Sequence, residues 1–261
     1  MRRLRIGSAR DQPVGALRQA GDALLNLFFP ESCLVCAAPV SRHAERSVCP
    51  PCWSRLLQLA ITPPWCPVCG IPFAAEVTAS HVCGRCILEP PPYAGARSFG
   101  LYTGELRTIV HALKFHGRRN LCALLAPALA STYFESWRPD EIDFIVPVPL
   151  DPRRKRERGF NQAALLAHGL ARCLGVPCRE EVLRRVRRTA PQVGLSPAER
   201  ARNVRGAFAA VPGSALGGAR VLLVDDVLTT GATVASAARA LLAGGALRVS
   251  VLTAARAVED C

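Results

Sequence analysis

A chain of 261 residues, half of them hydrophobic and carrying a formal net charge of +13, can bury a sizeable core and still present a cationic surface. That balance excludes a disordered or acidic chain, and no apolar run approaches the eighteen or so residues of a membrane-spanning helix. The twelve cysteines and the basic excess are both unevenly placed, and they divide the sequence into regions.

Residues 1–30 open with arginines, and residues 14–29 read as an amphipathic helix leading into the next module. Asp22 and Asn26 interrupt its apolar stretch and no small-residue cleavage site follows, so no export signal is expected. The expected location is the cytoplasm, with no membrane span.

Residues 31–90 carry eight cysteines as four C-x2-C pairs: Cys33 and Cys36, Cys49 and Cys52, Cys66 and Cys69, Cys83 and Cys86. Each pair places two sulfurs on one tight turn, and two such turns supply four thiolates, the closed tetrahedral set of a structural Zn2+ site. Disulfides would need an oxidising compartment, and redox C-x2-C motifs occur singly rather than as a ladder. The spacers of 12, 13 and 13 residues suggest two consecutive zinc ribbons, although spacing alone leaves an interleaved pairing open. With its cysteines so used, the module leaves His43 and His81 facing solvent. Cys122, Cys173 and Cys178 read as small core residues and Cys261 as a free thiol. Its acids and arginines balance, which favours a structural or protein-docking role over nucleic-acid binding.

Three consecutive prolines, Pro90, Pro91 and Pro92, mark a boundary, and residues 93–257 read as an α/β domain. Residues 97–102 can form a strand. Leu106, Ile109, Val110 and Leu113 then recur at helical spacing, with Lys114 and Phe115 at the helix end. A second helix covers residues 121–134 and an apolar strand residues 142–147. A basic loop follows, containing Arg153, Arg154, Arg156 and Arg158, before Gly159, Phe160, Asn161 and Gln162 open an Ala/Leu-rich helix. From residue 151 to 205, fourteen Lys and Arg stand against five Asp and Glu. Such a concentration suits a polyanion, and arginine forks match phosphate oxygens; Lys114 and the four loop arginines are the candidates for pyrophosphate.

The most informative stretch comes last. Residues 221–224 form an unbroken apolar run, as in a parallel strand covered on both faces. Two carboxylates, Asp225 and Asp226, follow, then Thr229, Thr230, Gly231, Ala232 and Thr233 at the start of an Ala/Leu-rich helix closed by Gly244 and Gly245. Residues 247–253 read as the next strand, completing a βαβ unit with a polar loop at the carboxyl end of its first strand. Backbone amides at the helix start form an anion cradle, and Gly231 permits close approach. Adjacent acids beside an anion cradle suit a ribose 5-phosphate: phosphate on residues 229–233, ring hydroxyls on Asp225 and Asp226.

This stretch resembles the 5-phosphoribosyl-1-pyrophosphate (PRPP) motif of type I phosphoribosyltransferases; neither a P-loop nor a strand-linked G-x-G-x-x-G occurs. Together with residues 147–150 (Pro-Val-Pro-Leu), 158–162 (Arg-Gly-Phe-Asn-Gln), Thr189-x2-Gln192-x2-Leu195 and Arg200-x2-Asn203, it is similar to the ComF (GntX-like) family over residues 25–256. The resemblance implies a type I phosphoribosyltransferase-like parallel sheet flanked by helices and preceded by a double zinc ribbon. It further implies PRPP, with Mg2+ carrying its pyrophosphate, as ligand, a part in DNA uptake and natural transformation, and single-stranded DNA handling. A DNA-uptake helicase or recombination protein is a further partner that the ribbons would dock. The segment in the place of the acceptor-covering hood, residues 189–208, offers Gln192, Arg200 and Asn203. No catalytic residue is assigned, since His111, His116 and His168 sit on predicted helices. The alternative reading is an active enzyme transferring ribose 5-phosphate to a nitrogenous base or amine.

Overall fold

The computed structural model describes residues 31–40, 47–74, 76–190 and 196–258. The expected helix at residues 14–29, His43, Gln192 and Cys261 lie outside the described residues. The chain begins with a short antiparallel pair, β1 (Glu31–Ser32) and β2 (Pro39–Val40), followed by α1 (Pro50–Gln58) and α2 (Gly84–Leu88). Its central sheet has four parallel strands in the order β3 (Gly95–Leu101), β8 (Arg248–Arg256), β7 (Arg220–Leu228), β4 (Phe144–Pro147).

Parallel strands joined by helices are buried on both faces, which is why β7 and β8 are nearly continuous apolar runs. Leu222, Val224 and Leu252 join one core cluster with Leu106, Ile109 and Leu113 of α3 (Gly104–Phe115), Leu125 and Leu129 of α4 (Asn120–Ser136), and Leu166 and Leu170 of α6 (Gln162–Leu174). Val221, Leu223, Val249 and Val251 point the other way. They meet Val234, Ala237 and Leu241 of α8 (Ala232–Ala243), and Phe208 of the antiparallel pair formed by β5 (Leu183–Arg185) and β6 (Phe208–Ala210). The spacing of Leu106, Ile109, Val110 and Leu113 thus gives the helix expected, with all four buried.

The basic segment after β4 is not a loop. It is a short helix, α5 (Pro152–Arg158), because Pro152 sits in its first turn and Asp151 Oδ1 accepts from Arg153 N at 2.9 Å as N-cap. Gly159, at φ 76°, ends it. Asn161 then caps α6, and Ser196 and Glu199 form a capping box on α7 (Pro197–Val204). The strand before the paired acids is also longer than residues 221–224: β7 continues through Asp225 and Asp226 to Leu228 alongside β8.

The cysteine module is joined to the sheet at two places. Cys33, Cys49, Cys52 and Leu56 belong to the same core cluster as α3, whereas Cys66, Cys69 and Cys86 form a separate small cluster. That second cluster is stitched to β3 by the Ala96 N–H, which donates to Val68 O at 2.8 Å. No helix among the described residues is long and apolar enough to cross a membrane.

Candidate functional site

A crevice of about 330 Å3 opens over the carboxyl ends of β7 and β4, where doubly wound sheets place their ligands. Its floor is Asp225 and Asp226. Side chains from four other segments enclose it: Lys114 of α3, Arg154 and Arg158 of α5, Asn161 and Gln162 at the start of α6, and Arg185, Thr189 and Arg200 from the β5 side. Thr229, Gly231 and Thr233 close the remaining wall.

The two carboxylates differ. Asp226 Oδ1 accepts from Lys114 Nζ at 3.0 Å. Burial lowers the affinity of Lys114 for its proton, but the charge of Asp226 outweighs it and the lysine is held above its ordinary value. Asp225 accepts the Asp226 N–H at 2.8 Å through Oδ1. Burial, and then the neighbouring Asp226 charge, push its carboxyl up to about 7. One acid is therefore neutralised by an ammonium and the other ionises reluctantly, so the paired acids do not make the crevice anionic. Five cationic side chains line it against those two carboxylates. Arg158 and Arg185 are both drawn below the ordinary arginine value by burial, which measures how far each guanidinium has left water.

The turn beyond β7 is shaped as expected in part. Gly231, at φ 80°, is the N-cap of α8, a backbone position that L side chains rarely adopt. The glycine has no side chain to cap the helix, but Thr230 Oγ1 accepts from Ala232 N at 3.5 Å, and the first-turn amides of any helix lack intrahelical partners. Thr229, Gly231 and Thr233 face the crevice, while Thr230 and Ala232 do not line it.

The basic candidates separate. Lys114, Arg154 and Arg158 line the crevice, whereas Arg153 and Arg156 do not; Arg153 instead pairs with Glu157 at 2.9 Å on the outer side of α5. Helical geometry explains the split, because a helix turns successive side chains to different faces and a loop would not. Of the hood candidates, Arg200 lines the crevice. Asn203 does not: its Oδ1 accepts from Ala190 N at 3.0 Å and its Nδ2 donates to Ala190 O at 2.9 Å, so it fastens the segment to α7.

Arg185 escaped the sequence reading. It lines the crevice from β5, donates to Thr189 Oγ1, lies 4.0 Å from Asp151 and stacks its guanidinium 5.4 Å from the Phe208 ring. Nothing local distinguished it among the many arginines, since the β5–β6 antiparallel pair that aims it joins residues far apart in sequence. Gln162 lines the crevice too, and its buried Nε2 has no hydrogen-bond partner among the described residues. His111 and His168 are exposed on their helices, His116 is exposed just past the end of α3 rather than on it, all three lie outside the crevice, and His168 pairs with Glu180 at 2.7 Å.

The cysteines form two tetrads, Cys33, Cys36, Cys49 and Cys52, and Cys66, Cys69, Cys83 and Cys86, with the sulfurs of each within 4.8 Å of one another. The consecutive pairing is thereby selected over the interleaved one. The donor chemistry fits zinc: Cys49 N and Val35 N donate to Cys33 Sγ at 3.3 and 3.4 Å, as Cys83 N does to Cys66 Sγ at 3.4 Å. Burial alone would push the Cys33 thiol up, yet these backbone donors leave it lowered to about 6, while burial lifts Cys52 to about 12. His81 belongs to neither tetrad and stacks on Phe73 at 4.2 Å. Cys122 is buried and Cys178 half-buried, but Cys173 is exposed near the end of α6 rather than in the core.

Comparison with known proteins places these features together elsewhere. A family described as "Double zinc ribbon domain" matches residues 24–87, and one described as "Phosphoribosyl transferase domain" matches residues 159–260. The DNA utilization protein YhgH of Salmonella typhimurium is 38% identical over 86% of this chain and 96% of its own. Competence protein F of Haemophilus influenzae is 31% identical over 88% and 99%, and competence protein ComFC of Bacillus subtilis 30% identical over 86% and 94%. Among solved structures, the glutamine PRPP amidotransferase of B. subtilis is 26% identical with a TM-score of 0.34, over 52% of this chain and 26% of that one.

Proposed function

We propose a function from one premise: this chain belongs to the family of the DNA utilization protein YhgH and competence proteins F and ComFC, a double zinc ribbon joined to a phosphoribosyltransferase-type domain. The reading is a cytoplasmic protein of DNA uptake and natural transformation that binds PRPP in the crevice and handles single-stranded DNA on the surface around it.

The observation that carries the PRPP reading is the coexistence, in one crevice, of the Asp225–Asp226 pair, the turn of Thr229, Gly231 and Thr233, and a cationic wall from α3 and α5. The 5-phosphate would meet the backbone amides and threonines of the turn. The ring hydroxyls would bond the acids: a partly protonated Asp225 can donate as well as accept, which suits hydroxyls that do both. Lys114, Arg154 and Arg158 would face the pyrophosphate as charge-assisted donors. Magnesium, a hard ion that retains waters, would bridge pyrophosphate oxygens rather than sit in a protein cage. The division into residues 31–90 and 93–257 belongs to the same proposal; β3 begins at Gly95, just past the triple proline.

Support for the DNA reading comes from the rim. Phe115 is 62% exposed at the end of α3, with the Arg158 guanidinium 5.0 Å from its ring, and exposed Arg118 and Arg119 follow in the chain. Aromatic faces with neighbouring cations are the elements of sequence-tolerant strand binding.

The deciding experiment is calorimetry of the zinc-loaded protein with PRPP and Mg2+, with and without a single-stranded oligonucleotide. Saturable PRPP binding that Asp225→Ala removes is expected; the absence of any heat would overturn the reading. The alternative, transfer of phosphoribose to a base or amine, draws support from the unpartnered Gln162 amide in the crevice. Pyrophosphate release in the presence of nucleobases or ammonia would favour it, and none above background would leave PRPP a ligand only. Exposed Ile87 and Leu88 on the second ribbon support the docking of a helicase or recombination protein there.

A further inference from the structure

We infer that Arg85, held between two cysteines of the second tetrad, is a positioning residue for the phosphate turn, so that this ribbon is a working part of the crevice and not only its neighbour. The inference rests on the reading of residues 229–233 as a phosphomonoester cradle. Arg85 Nη2 donates to Thr230 O at 2.7 Å across 145 positions of sequence. A trans peptide is planar, with its carbonyl and its N–H on opposite sides. Fixing Thr230 O on the ribbon side therefore directs the Gly231 N–H away from it, toward the crevice wall that Gly231 lines.

That orientation needs fixing. Gly231 stands at φ 80° and, lacking a side chain, visits both signs of φ readily, so the Thr230–Gly231 peptide can turn over at little steric cost. Turned over, it would present a carbonyl oxygen to an incoming phosphate in place of a donor. Within the turn itself the Thr230 hydroxyl accepts from Ala232 N at a long 3.5 Å, a weak restraint on the flip beside the 2.7 Å bond from Arg85.

A buried arginine also ties the same tetrad to this end of the sheet. Arg256, which lies opposite Leu228 in the β7–β8 register and is only 5% exposed, donates from Nη1 to Cys69 O at 2.7 Å. Tyr93, buried in the core cluster of β7 and α8, backs the turn: a methyl built on Gly231 would meet its hydroxyl at 3.4 Å. The first tetrad has no such contact among the described residues; its Arg55 reaches Glu105 of α3 and Cys52 instead.

The test compares two ligands that divide the crevice, ribose 5-phosphate and inorganic pyrophosphate with Mg2+, titrated calorimetrically into full-length zinc-loaded protein. Arg85→Ala should weaken ribose 5-phosphate about tenfold, equivalent to about 1.4 kcal/mol, with pyrophosphate changed by less than about twofold. It should retain both zinc equivalents, and Arg85→Lys, which can still reach a carbonyl, should recover part of the loss. Unchanged ribose 5-phosphate affinity in Arg85→Ala would overturn the inference alone, and an equal loss of both ligands would reduce Arg85 to a scaffold role. Failure of the wild type to bind ribose 5-phosphate would overturn the cradle reading and this inference with it.

Discussion

Lys114 Nζ lies 3.0 Å from Asp226 Oδ1 and joins the end of α3 to the carboxyl end of β7, the one ion pair that ties the helical layer to the crevice floor among the described residues. Both side chains are largely removed from solvent, at 20% and 15% exposure, so this pair cannot be treated as a screened surface contact. Removing the lysine takes away the carboxylate's hydrogen-bonded counter-charge in a confined site and leaves the more distant Arg158 acting on it. Lys114→Met should therefore lower PRPP affinity by about tenfold or more and lower the melting temperature, since breaking a buried pair costs about 3–5 kcal/mol. The double variant Lys114→Met with Asp226→Asn should regain much of the stability and none of the binding, as thermal denaturation and calorimetry together would register.

Asp225 gives a prediction in pH. Burial and then the neighbouring Asp226 charge push its folded carboxyl up to about 7, well above the ordinary aspartate value, so the native chain binds this proton more tightly than the unfolded chain does. The stabilising contribution of the neutral acid is complete below about 4 and is lost as pH rises through about 7. Asp225→Asn keeps the shape and removes the titration. The variant's melting temperature should gain on the wild type steadily between pH 5 and 7 and run parallel to it above pH 8. A difference independent of pH would show that Asp225 is an ordinary carboxylate.

Much of this arrangement was legible in the sequence because it is local. The C-x2-C pairs, the apolar period of residues 106–113 and the succession of apolar run, acids, turn and helix are all written within short windows; the structure keeps each one, except that the strand extends through the acids. What was not legible depends on partners distant in sequence. Spacing could not choose between consecutive and interleaved tetrads until the knuckles were brought together. The segment holding Arg153, Arg154, Arg156 and Arg158 reads as a loop when judged by charge, but Asp151 and Pro152 start a helix and Gly159 stops it. Only the helix assigns Arg154 and Arg158 inward and the other two outward. Arg185 and Arg85 were invisible for the same reason, one aimed by antiparallel pairing with β6 and the other by contact with a turn 145 positions away.

The two tetrads should differ in what their loss costs. Cys52 is fully buried within the main core cluster beside Leu56 and Leu106, whereas Cys86 belongs to a small cluster of its own. A structural zinc is worth on the order of 10 kcal/mol in folding free energy, comparable to the stability of a whole domain. Cys52→Ser should reduce bound zinc from two equivalents to one and destabilise the entire chain in a single transition. Cys86→Ser should lose one equivalent with a smaller fall in melting temperature, the sheet remaining folded by circular dichroism. Equal destabilisation by the two variants would mean that the second ribbon is as deeply built into the core as the first.

The inward and outward arginines of α5 separate the crevice from the rim. Arg154→Ala combined with Arg158→Ala should weaken pyrophosphate with Mg2+ by about a hundredfold or more, because charge-assisted bonds are each worth about 1.5–3 kcal/mol and two are lost. Arg153→Ala combined with Arg156→Ala should leave it within about twofold, since those side chains do not line the cavity. Single-stranded DNA should respond differently. Its phosphates see the summed rim potential, so both double variants should weaken oligonucleotide binding and flatten its salt dependence by roughly one unit of slope or more. Phe115→Ala should weaken oligonucleotide binding by about 1–3 kcal/mol at every salt concentration, the signature of a lost stacking contact. The two effects differ because salt competes for phosphate contacts but not for an aromatic face. Titrations of a fluorescent oligonucleotide from about 50 to 200 mM salt separate them: an unchanged affinity in Phe115→Ala would place the strand elsewhere, and identical behaviour of the two arginine pairs toward pyrophosphate would undo the orientation of α5.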